Sequence, residues 1–326
     1  APLLCVIDHE FWVKMRIFIT GGSGCIGHYI AEELINNTDH ELFFFVRNLA
    51  KIQFNPEARS GLNMITGDLD NINQFQDLLQ TIDVAILAAT IWGGTEETFR
   101  INVDKTLELL DLLDRETCQQ IIYFSTASIL NYHHQLLPQA GEVGTDYIRS
   151  KYQCYSQIKA HPLASKLSIV FPTLVLGGDK NKPYSHISAG LPEATKWVNL
   201  ARWLKADGSF HFIHGKDIAT TINYLIHHPA QNKTTRELVL GSAKITANQL
   251  IETLCEYFKK PIYFRIPLSL TLANFLIVMF RIQMAEWDRF CLQYRHFSHE
   301  TPVNPQTFGL ETYCPTLTDI FKQHNL

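Results

Sequence analysis

The 326-residue sequence lacks most of the features that mark specialised protein classes. Its seven cysteines form no C-x-x-C pair and no Cys/His cluster with zinc spacing, so neither a disulfide framework nor a metal site is predicted. The formal net charge of -4 gives no electrostatic reason to expect a nucleic-acid partner. No uncharged apolar run reaches the roughly 20 residues that span a bilayer. We therefore expect a globular protein of a reducing, cytoplasmic compartment.

Two segments differ from the rest of the chain. The stretch 1–14 lacks the basic start and long apolar core of a signal peptide, and we interpret it as an N-terminal extension that packs against the domain or frays. The stretch 266–280 is apolar and uncharged but too short for stable membrane insertion. We interpret it as a buried or substrate-covering helix, with contact to a membrane surface as the alternative.

Strand-like and helix-like patterns alternate through the first half of the sequence. Apolar runs predict strands at 15–20, 41–47, 63–69, 84–90, 120–128 and 167–177, with a late strand at 237–242. Apolar residues at helical spacing lie between these runs, as in 25–35 and 99–113. Alternating units of this kind predict an α/β protein with a doubly wound parallel sheet, whose ligand lies at the carboxyl ends of the strands.

The pattern loosens beyond residue 177, which predicts two structural units. We assign 15–177 plus 213–242 to a dinucleotide-binding Rossmann domain. The segments 178–212 plus 243–326 then form a smaller, mainly helical C-terminal substrate lobe. The aromatic residues Tyr184, Trp197 and Trp203 in this lobe indicate a partly apolar small-molecule substrate, although they could also form the core of the lobe.

A glycine-rich turn, "TGGSGCIG" at 20–27, follows the first predicted strand and opens the first helix. Its glycines fit both G-x-G-x-x-G and T-G-x-x-G-x-x-G. Glycines there allow backbone N–H groups and a helix N-terminus to approach a pyrophosphate. The predicted cofactor contacts from this turn are Gly21, Gly22, Ser23, Gly24, Cys25, Ile26 and Gly27.

The end of the second strand predicts which cofactor is bound. Arg47 stands where an acidic residue would accept hydrogen bonds from the free 2′-hydroxyl of NAD, and no Asp or Glu lies between Glu41 and Glu57. A guanidinium can instead bind a 2′-phosphate, and Lys51 adds positive charge. We therefore predict NADP as the preferred cofactor, with NAD as the alternative.

Further cofactor contacts are predicted at the ends of later strands. Asp68 and Leu69 follow the third strand, where Asp68 could accept from an adenine amino group or cap the next helix. Ala88 and Ala89 are small residues that allow close backbone approach to a cofactor. Asn102, near the start of a long helix, could bond cofactor or catalytic groups.

Tyr147 and Lys151 are four residues apart, so a helix places them on one face. Hydride transfer to a carbonyl needs a proton donor, and a nearby ammonium lowers the pKa of a tyrosine. The segment "FSTAS" supplies the hydroxyls of Ser125, Thr126 and Ser128 at the end of a buried strand. Together these groups predict a carbonyl/alcohol oxidoreductase.

Taken in order, "TGGSGCIG", "GDL", "INVDKTLELL", "YFSTAS", "YIRSKYQ", "FPTLVLG" and "FHFIHGKDIA" resemble the extended short-chain dehydrogenase/reductase superfamily, of the NAD-dependent epimerase/dehydratase type. The resemblance implies that Thr126 holds the substrate oxygen, Tyr147 is the acid/base, and Lys151 tunes Tyr147 and holds the nicotinamide ribose. It also implies cofactor contacts at Ser125 and Pro172, and it is compatible with a homodimer.

The sequence departs from the family pattern in ways that bear on the substrate. Phe171 stands where an arginine often precedes the proline, "FPTLVLG" lacks the asparagine common in sugar-nucleotide epimerases, and "STASILN" lacks the usual tyrosine-glycine, so Ser125 or Ser128 could replace Thr126. We therefore favour a reductase resembling the flavonoid or hydroxysteroid branches. The alternatives are a nucleotide-sugar epimerase/dehydratase with retained NAD and a non-catalytic NAD(P)-binding scaffold. We interpret His214 and Asp217 as a structural turn and a helix cap, with a substrate contact from His214 as the alternative.

Overall fold

The structure, a computed structural model, describes residues 13–231, 234–279, 281 and 283–325. The predicted extension 1–14 therefore lies almost entirely outside the described residues. The strands are β1 (Arg16–Thr20), β2 (Glu41–Val46), β3 (Leu62–Thr66), β4 (Val84–Leu87), β5 (Gln120–Phe124), β6 (Leu167–Pro172), β7 (Leu174–Leu176), β8 (Leu204–Lys205), β9 (Ser209–Phe210), β10 (Phe212–His214), β11 (Arg236–Leu240), β12 (Ile245–Thr246), β13 (Ile266–Pro267) and β14 (His296–Phe297).

The helices alternate with these strands in the first half of the chain and dominate its end. They are α1 (Cys25–Asn37), α2 (Gln76–Leu79), α3 (Thr95–Phe99), α4 (Lys105–Leu112), α5 (Pro138–Glu142), α6 (Asp146–Ile158), α7 (His186–Thr195), α8 (Val198–Ala201), α9 (Gly215–His227), α10 (Ala247–Tyr257), α11 (Leu270–Met279), α12 (Glu286–Tyr294) and α13 (Leu317–Gln323). A π-helical turn, Arg100–Asp104, joins α3 to α4 and interrupts the helix predicted at 99–113.

Seven parallel strands form the central sheet, in the order β11-β6-β5-β4-β1-β2-β3. Alternate residues of β1 face opposite sides of this sheet: Phe18 belongs to one buried apolar cluster, and Ile17 and Ile19 belong to another. Both faces are therefore covered, as the near-continuous apolar strands require. This architecture confirms the doubly wound Rossmann fold.

Helices α1 and α9 pack against each other on one face of the sheet. Their apolar residues recur at helical spacing, and Ile30 and Leu34 of α1 are completely buried. Complete burial of such a side chain contributes about 1.5–3 kcal/mol to stability. This packing fixes the start of α1, and with it the glycine-rich turn, against the end of β1.

The strand predicted at 167–177 is in fact two strands in two sheets. β6 ends at Pro172, which has no backbone N–H for a sheet ladder. The N–H and the hydroxyl of Thr173 both bond to the carbonyl of Leu240, after which β7 pairs in parallel with β10 outside the main sheet. The chain thus leaves the central sheet beside its last strand and leads into the segment that contains α7.

The C-terminal part is mainly helical and has a small apolar cluster of its own, which includes Phe212, Ile320 and Phe321. The prediction of a buried helix at 266–280 is wrong for the described residues. Among the side chains of α11 whose burial is described, Ala273 alone is buried, whereas Phe275 is 60% exposed and Val278 is 77% exposed. Apolar composition alone does not place a helix inside, because much of a protein surface is apolar. No helix among the described residues is both long and apolar enough to cross a membrane.

Candidate active site

A cleft of about 730 Å³ lies at the carboxyl ends of the central strands, which is within the usual size range of small-ligand sites. The predicted site residues that line it are Gly21, Ser23, Gly24, Cys25, Ile26, Gly27, Arg47, Asp68, Leu69, Ala88, Ala89, Ser125, Thr126, Tyr147, Lys151 and Pro172. Parallel strands present their carboxyl ends at one edge, so residues distant in the sequence meet there.

Two glycines of the turn are required by close packing. Gly21 has φ +79°, and a Cβ on it would lie 2.6 Å from the carbonyl carbon of Ala88. A Cβ on Gly27 would lie 2.1 Å from the carbonyl oxygen of Gly21. The helix that follows, α1, begins at Cys25, and its N-cap residue Gly24 has no side chain that could cap it. Its first N–H groups therefore remain available to an anion, as dinucleotide binding requires.

Two predicted cofactor contacts, Gly22 and Asn102, do not line the cleft. The nearest neighbour of a Cβ on Gly22 would be the ring of Phe44, because this residue faces the sheet. Asn102 is 1% exposed within the π-helical turn and accepts hydrogen bonds from the Ile91 N–H and the Thr90 hydroxyl at 3.1 Å.

The remaining contacts of Asn102 explain its position. Its amide group donates to the Ile91 carbonyl at 3.2 Å and to the hydroxyl of Ser150 at 3.0 Å. Ser150 precedes Lys151 on α6. Asn102 therefore fixes the loop after β4 against the helix that carries Tyr147 and Lys151, and it acts as a positioning residue.

The cofactor half of the cleft has a cationic end. Arg47 and Lys51 are exposed side chains at the end of β2, and neither forms an ion pair with any described residue. Asp68 lies in the same part of the cleft, where its carboxylate accepts from the N–H of Asp70 at 3.1 Å and caps a short 3-10 helix. Both alternative roles of Asp68 are thus compatible with its position.

Thr126, Tyr147 and Lys151 come together where β5 ends and α6 begins. Thr145 caps α6 by accepting from the N–H of Ile148. The hydroxyl of Thr126 is placed to donate to the ionised form of Tyr147, and it accepts from the N–H of Ser128 at 3.3 Å. Lys151 is 2% exposed, and its Nζ donates to the carbonyl of Phe124 at 2.8 Å. The buried hydroxyl of Ser125 has no partner among the described residues and is available to a ligand.

Burial, rather than the neighbouring ammonium, dominates the titration of the pair. It raises the pKa of the Tyr147 hydroxyl well above its usual range, and the hydrogen bond with Thr126 opposes this only in part. Burial also lowers the pKa of Lys151 to about 8. The predicted lowering of the tyrosine pKa is therefore not found in this arrangement. Tyr147 is held in its protonated form, which is the form that donates a proton.

One aromatic contact was not predicted, the stacking of Trp92 on Tyr147. The two rings are 3.7 Å apart between centroids and inclined by 15°, and the ring of His186 lies 4.9 Å from Trp92. Gly93 and Gly94 follow with φ of +92° and +78°. The signal was present in "IWGG" directly after β4, where an aromatic residue precedes two glycines at a strand end.

The substrate half of the cleft is lined by β7, by α12 and by the start of α7 together with the loop that precedes it. They contribute Leu174, Tyr184, His186, Ile187 and Trp287. No lysine or arginine of 178–212 or 243–326 is among the described residues that line the cleft. This half is thus aromatic and without a cation.

The other aromatic residues predicted for the substrate site lie elsewhere. Trp197 is 62% exposed and does not line the cleft, and Trp203 packs against Phe264 with ring centroids 5.0 Å apart. None of the described residues of α11 lines the cleft, so the alternative of a substrate-covering helix is not supported. Of the three aromatic residues singled out in the lobe, only Tyr184 lines the cleft.

His214 and Asp217 have structural roles, as predicted, but His214 rather than Asp217 caps the helix. The imidazole of His214 accepts from the N–H of Lys216 at 3.1 Å at the start of α9. The carboxylate of Asp217 accepts from the N–H groups of Tyr313 and Cys314 at 2.6 and 3.1 Å. Neither residue lines the cleft, so the substrate contact from His214 is not supported. Among the described residues no group of three or more His, Cys, Asp or Glu could hold a metal ion.

A Rossmann sheet with a glycine-rich turn, a cleft at the strand ends and a Thr–Tyr–Lys set defines a dinucleotide-dependent enzyme of the short-chain dehydrogenase/reductase class. The model of the NAD dependent epimerase/dehydratase family matches residues 17–241. The chain belongs to this family and is an enzyme. None of the curated proteins compared with the sequence matches it significantly.

Solved structures share the fold over nearly the whole chain. The dTDP-glucose 4,6-dehydratase DesIV from Streptomyces venezuelae, with NAD and TYD bound, is 14% identical with a TM-score of 0.65, covering 95% of this chain and 96% of DesIV. A UDP-N-acetylglucosamine 4-epimerase from Methanobrevibacter ruminantium M1, in complex with UDP-N-acetylmuramic acid, is 17% identical with a TM-score of 0.64, covering 96% and 97%. The enzyme WbmG from Bordetella bronchiseptica, in complex with NAD and UDP, is 14% identical with a TM-score of 0.62, covering 95% and 94%.

Proposed function

We propose that this enzyme is an NADP(H)-dependent reductase of an uncharged, partly apolar carbonyl compound. The observation that carries the proposal is the substrate half of the cleft, where Trp92, Tyr184 and Trp287 supply aromatic surface and no described residue of the lobe supplies a cation. A nucleotide-sugar diphosphate would enter this half with two negative charges and meet none of the charge-assisted donors that recognise phosphates. A flat or apolar carbonyl compound needs no such partners.

The cofactor half supports a dinucleotide, with NADP preferred. The glycine-rich turn leaves no room for a Cβ at Gly21 or Gly27, and Ser125 has a buried hydroxyl with no partner among the described residues. Arg47 and Lys51 have no acidic partner among the described residues, so both remain available to a 2′-phosphate. When bound, the nicotinamide supplies the hydride.

The residues of the chain supply the proton and the orientation. In the direction of reduction, the carbonyl oxygen accepts hydrogen bonds from the hydroxyls of Thr126 and Tyr147. As the carbonyl carbon accepts the hydride, the oxygen gains negative charge and takes the proton of Tyr147. The raised pKa keeps Tyr147 protonated until that step. Lys151, one helical turn away, stabilises the phenolate that remains.

Titrations with NADPH and NADH test the cofactor preference. The wild-type protein should bind NADPH more tightly, and Arg47→Ala should weaken NADPH binding roughly tenfold or more while leaving NADH binding unchanged. The matched control is Arg115→Ala, which removes an exposed arginine that does not line the cleft. Tighter binding of NADH by the wild-type protein would overturn the assignment to Arg47.

The structural neighbours favour a second candidate, a nucleotide-sugar epimerase or dehydratase with retained NAD. WbmG is in complex with NAD and UDP, and DesIV carries NAD and TYD. Turnover of a UDP- or dTDP-sugar without added cofactor would favour this candidate. NADPH oxidation that depends on an uncharged aromatic or alicyclic ketone would favour the reductase.

The cellular setting is also a proposal. All six cysteines among the described residues are free thiols, which supports the reducing cytoplasmic compartment expected from their spacing. A homodimer, compatible with the family resemblance, should appear in light scattering at twice the mass of the chain.

A further inference from the structure

An exposed apolar surface lies away from the cleft, on the helical C-terminal part. It consists of Trp197, Tyr263, Phe264, Phe275, Val278 and Met279, which are all at least half exposed, and we call it the docking face. None of these residues lines the cleft. Single exposed apolar residues are common, whereas a group of this size marks an interaction surface.

Contacts along the backbone join the two parts of the docking face. β13 pairs in parallel with β8, with Ile266 opposite Leu204 and Pro267 opposite Lys205. The indole of Trp203 packs against Phe264 with ring centroids 5.0 Å apart. The segment that follows Trp197 therefore lies directly beside the segment that leads into α11.

The chain around this face is basic, although the whole protein has a net charge of -4. Between residues 257 and 285 there are four basic residues, Lys259, Lys260, Arg265 and Arg281, and no Asp or Glu. Arg265 is paired with Glu252. The other three are exposed and form no ion pair with any described residue. Lys205, which lies opposite Pro267, is also exposed and forms no ion pair with any described residue. It brings the number of such cations to four.

We propose that the docking face binds peripherally to an anionic lipid membrane. Stable attachment to a membrane surface takes two signals, and this part of the chain has both. They are the exposed aromatic and aliphatic side chains and the four exposed cations that form no ion pair with any described residue. Helix α11 has ten residues and no charged side chain, so it can lie at the depth of the headgroups but cannot span the bilayer. Tyr263 and Trp197 are of the residue types enriched at that depth.

The charge distribution favours a lipid surface over a second copy of the chain. If two identical faces met, the unpaired cations of both copies would enter one interface, and the stretch 257–285 contains no acid to neutralise them. Anionic headgroups complement the same charges. The docking face is also separate from the cleft, so the inference does not depend on the proposed reductase activity.

Co-sedimentation with lipid vesicles tests the proposal. The wild-type protein should bind vesicles in which phosphatidylglycerol replaces part of the phosphatidylcholine, should bind far less to phosphatidylcholine alone, and should be released by salt. Lys259→Gln with Lys260→Gln should weaken binding about fivefold for each charge removed. Phe275→Ser with Val278→Ser should also weaken it, and this pair leaves the charges in place.

Leu310→Ser is the matched control, because Leu310 is an exposed apolar residue (38%) outside the docking face. It should bind the vesicles as the wild-type protein does. Thermal unfolding checks that each variant is folded. If the Phe275→Ser with Val278→Ser variant does not fold, vesicle binding by the double lysine variant tests the proposal. Failure of the wild-type protein to bind anionic vesicles would overturn the proposal. A dimer in light scattering that Phe275→Ser with Val278→Ser converts to a monomer, without vesicle binding, would assign the face to a second copy instead.

Discussion

The two halves of the cleft are built in different ways. The cofactor half is formed by the ends of buried parallel strands, and its residues Ser125, Lys151 and Pro172 are almost inaccessible to solvent. The substrate half is formed by short helices and by side chains that are largely exposed, such as Trp92 at 55% and Tyr184 at 52%. The difference indicates a precise, preformed dinucleotide site beside an adaptable, aromatic substrate site.

The largest effect is expected where the two halves meet, at the proton donor. Tyr147→Phe should lower kcat by roughly 10²–10⁴-fold, because the phenyl ring cannot give a proton to the forming alkoxide. NADPH affinity should be retained, since the ring remains in place. Steady-state kinetics and cofactor titration measure the two effects separately.

Tyr152→Phe is the control for this change. Tyr152 lies on the same helix, α6, but does not line the cleft. It should keep the wild-type kcat. An active Tyr147→Phe enzyme would show that another group supplies the proton, and Ser128, which also lines the cleft, would be the next candidate.

The second prediction concerns the rigidity of the cofactor half. A methyl group at position 27 would lie 2.1 Å from the Gly21 carbonyl oxygen, and backbone cannot move aside as a flexible side chain can. Gly27→Ala should therefore destabilise the turn by about 1–3 kcal/mol and weaken NADPH binding to match. Thermal unfolding and cofactor titration check this.

Gly190→Ala is the matched control, because a Cβ at Gly190 meets nothing within 4 Å. In the helix α7 it should leave NADPH binding unchanged and raise stability by about 0.5–1 kcal/mol. If Gly27→Ala bound NADPH as well as Gly190→Ala does, the glycine-rich turn would not be the cofactor site.

The same contrast explains what the sequence could and could not predict. The glycine turn and the Tyr147–Lys151 pair are local patterns, whose geometry follows from the turn and helix that contain them. The stacking of Trp92 on Tyr147 joins residues 55 positions apart, and only the folded chain brings them together. The burial of Asn102 could not be predicted for a related reason, since it depends on a π-helical turn that the sequence pattern does not mark.

The lobe was harder to predict than the sheet. Near-continuous apolar strands are stable in a parallel sheet with helices on both faces, and the doubly wound fold was predicted from them. The apolar segment 266–280 has no such restriction. An isolated apolar helix can be buried, cover a ligand or remain on the surface, and the described part of α11 remains on the surface.

The third prediction uses the buried charge of Lys151. Its pKa is lowered to about 8 in the folded protein, so between pH 8 and its ordinary pKa of 10.5 the unfolded chain binds more protons. The contribution of Lys151 to the free energy of unfolding is therefore lowest below pH 8 and rises as the pH rises. Lys151→Met should raise the free energy of unfolding at pH 7 by on the order of 1–2 kcal/mol, after the lost hydrogen bond to Phe124 is subtracted.

This gain should shrink as the pH rises from 8 to 10.5, which chemical denaturation at several pH values would show. A gain that is constant with pH would mean that the effect comes from packing and not from the charge. Lys151→Met should also lose catalytic activity at every pH, because the ammonium that stabilises the Tyr147 phenolate is gone.

The smallest effect is expected for Trp92, and it is the most direct test of the difference between the two halves. Trp92→Ala removes the ring stacked on Tyr147 and should raise KM for an aromatic or alicyclic carbonyl substrate about 2–10-fold, the value of one aromatic contact. NADPH affinity should not change, because the cofactor half is built from other residues. Trp197→Ala, which removes an exposed tryptophan outside the cleft, should change neither value. If Trp92→Ala instead weakened NADPH binding and left KM unchanged, this residue would belong to the cofactor half, and the aromatic surface there would no longer define the substrate.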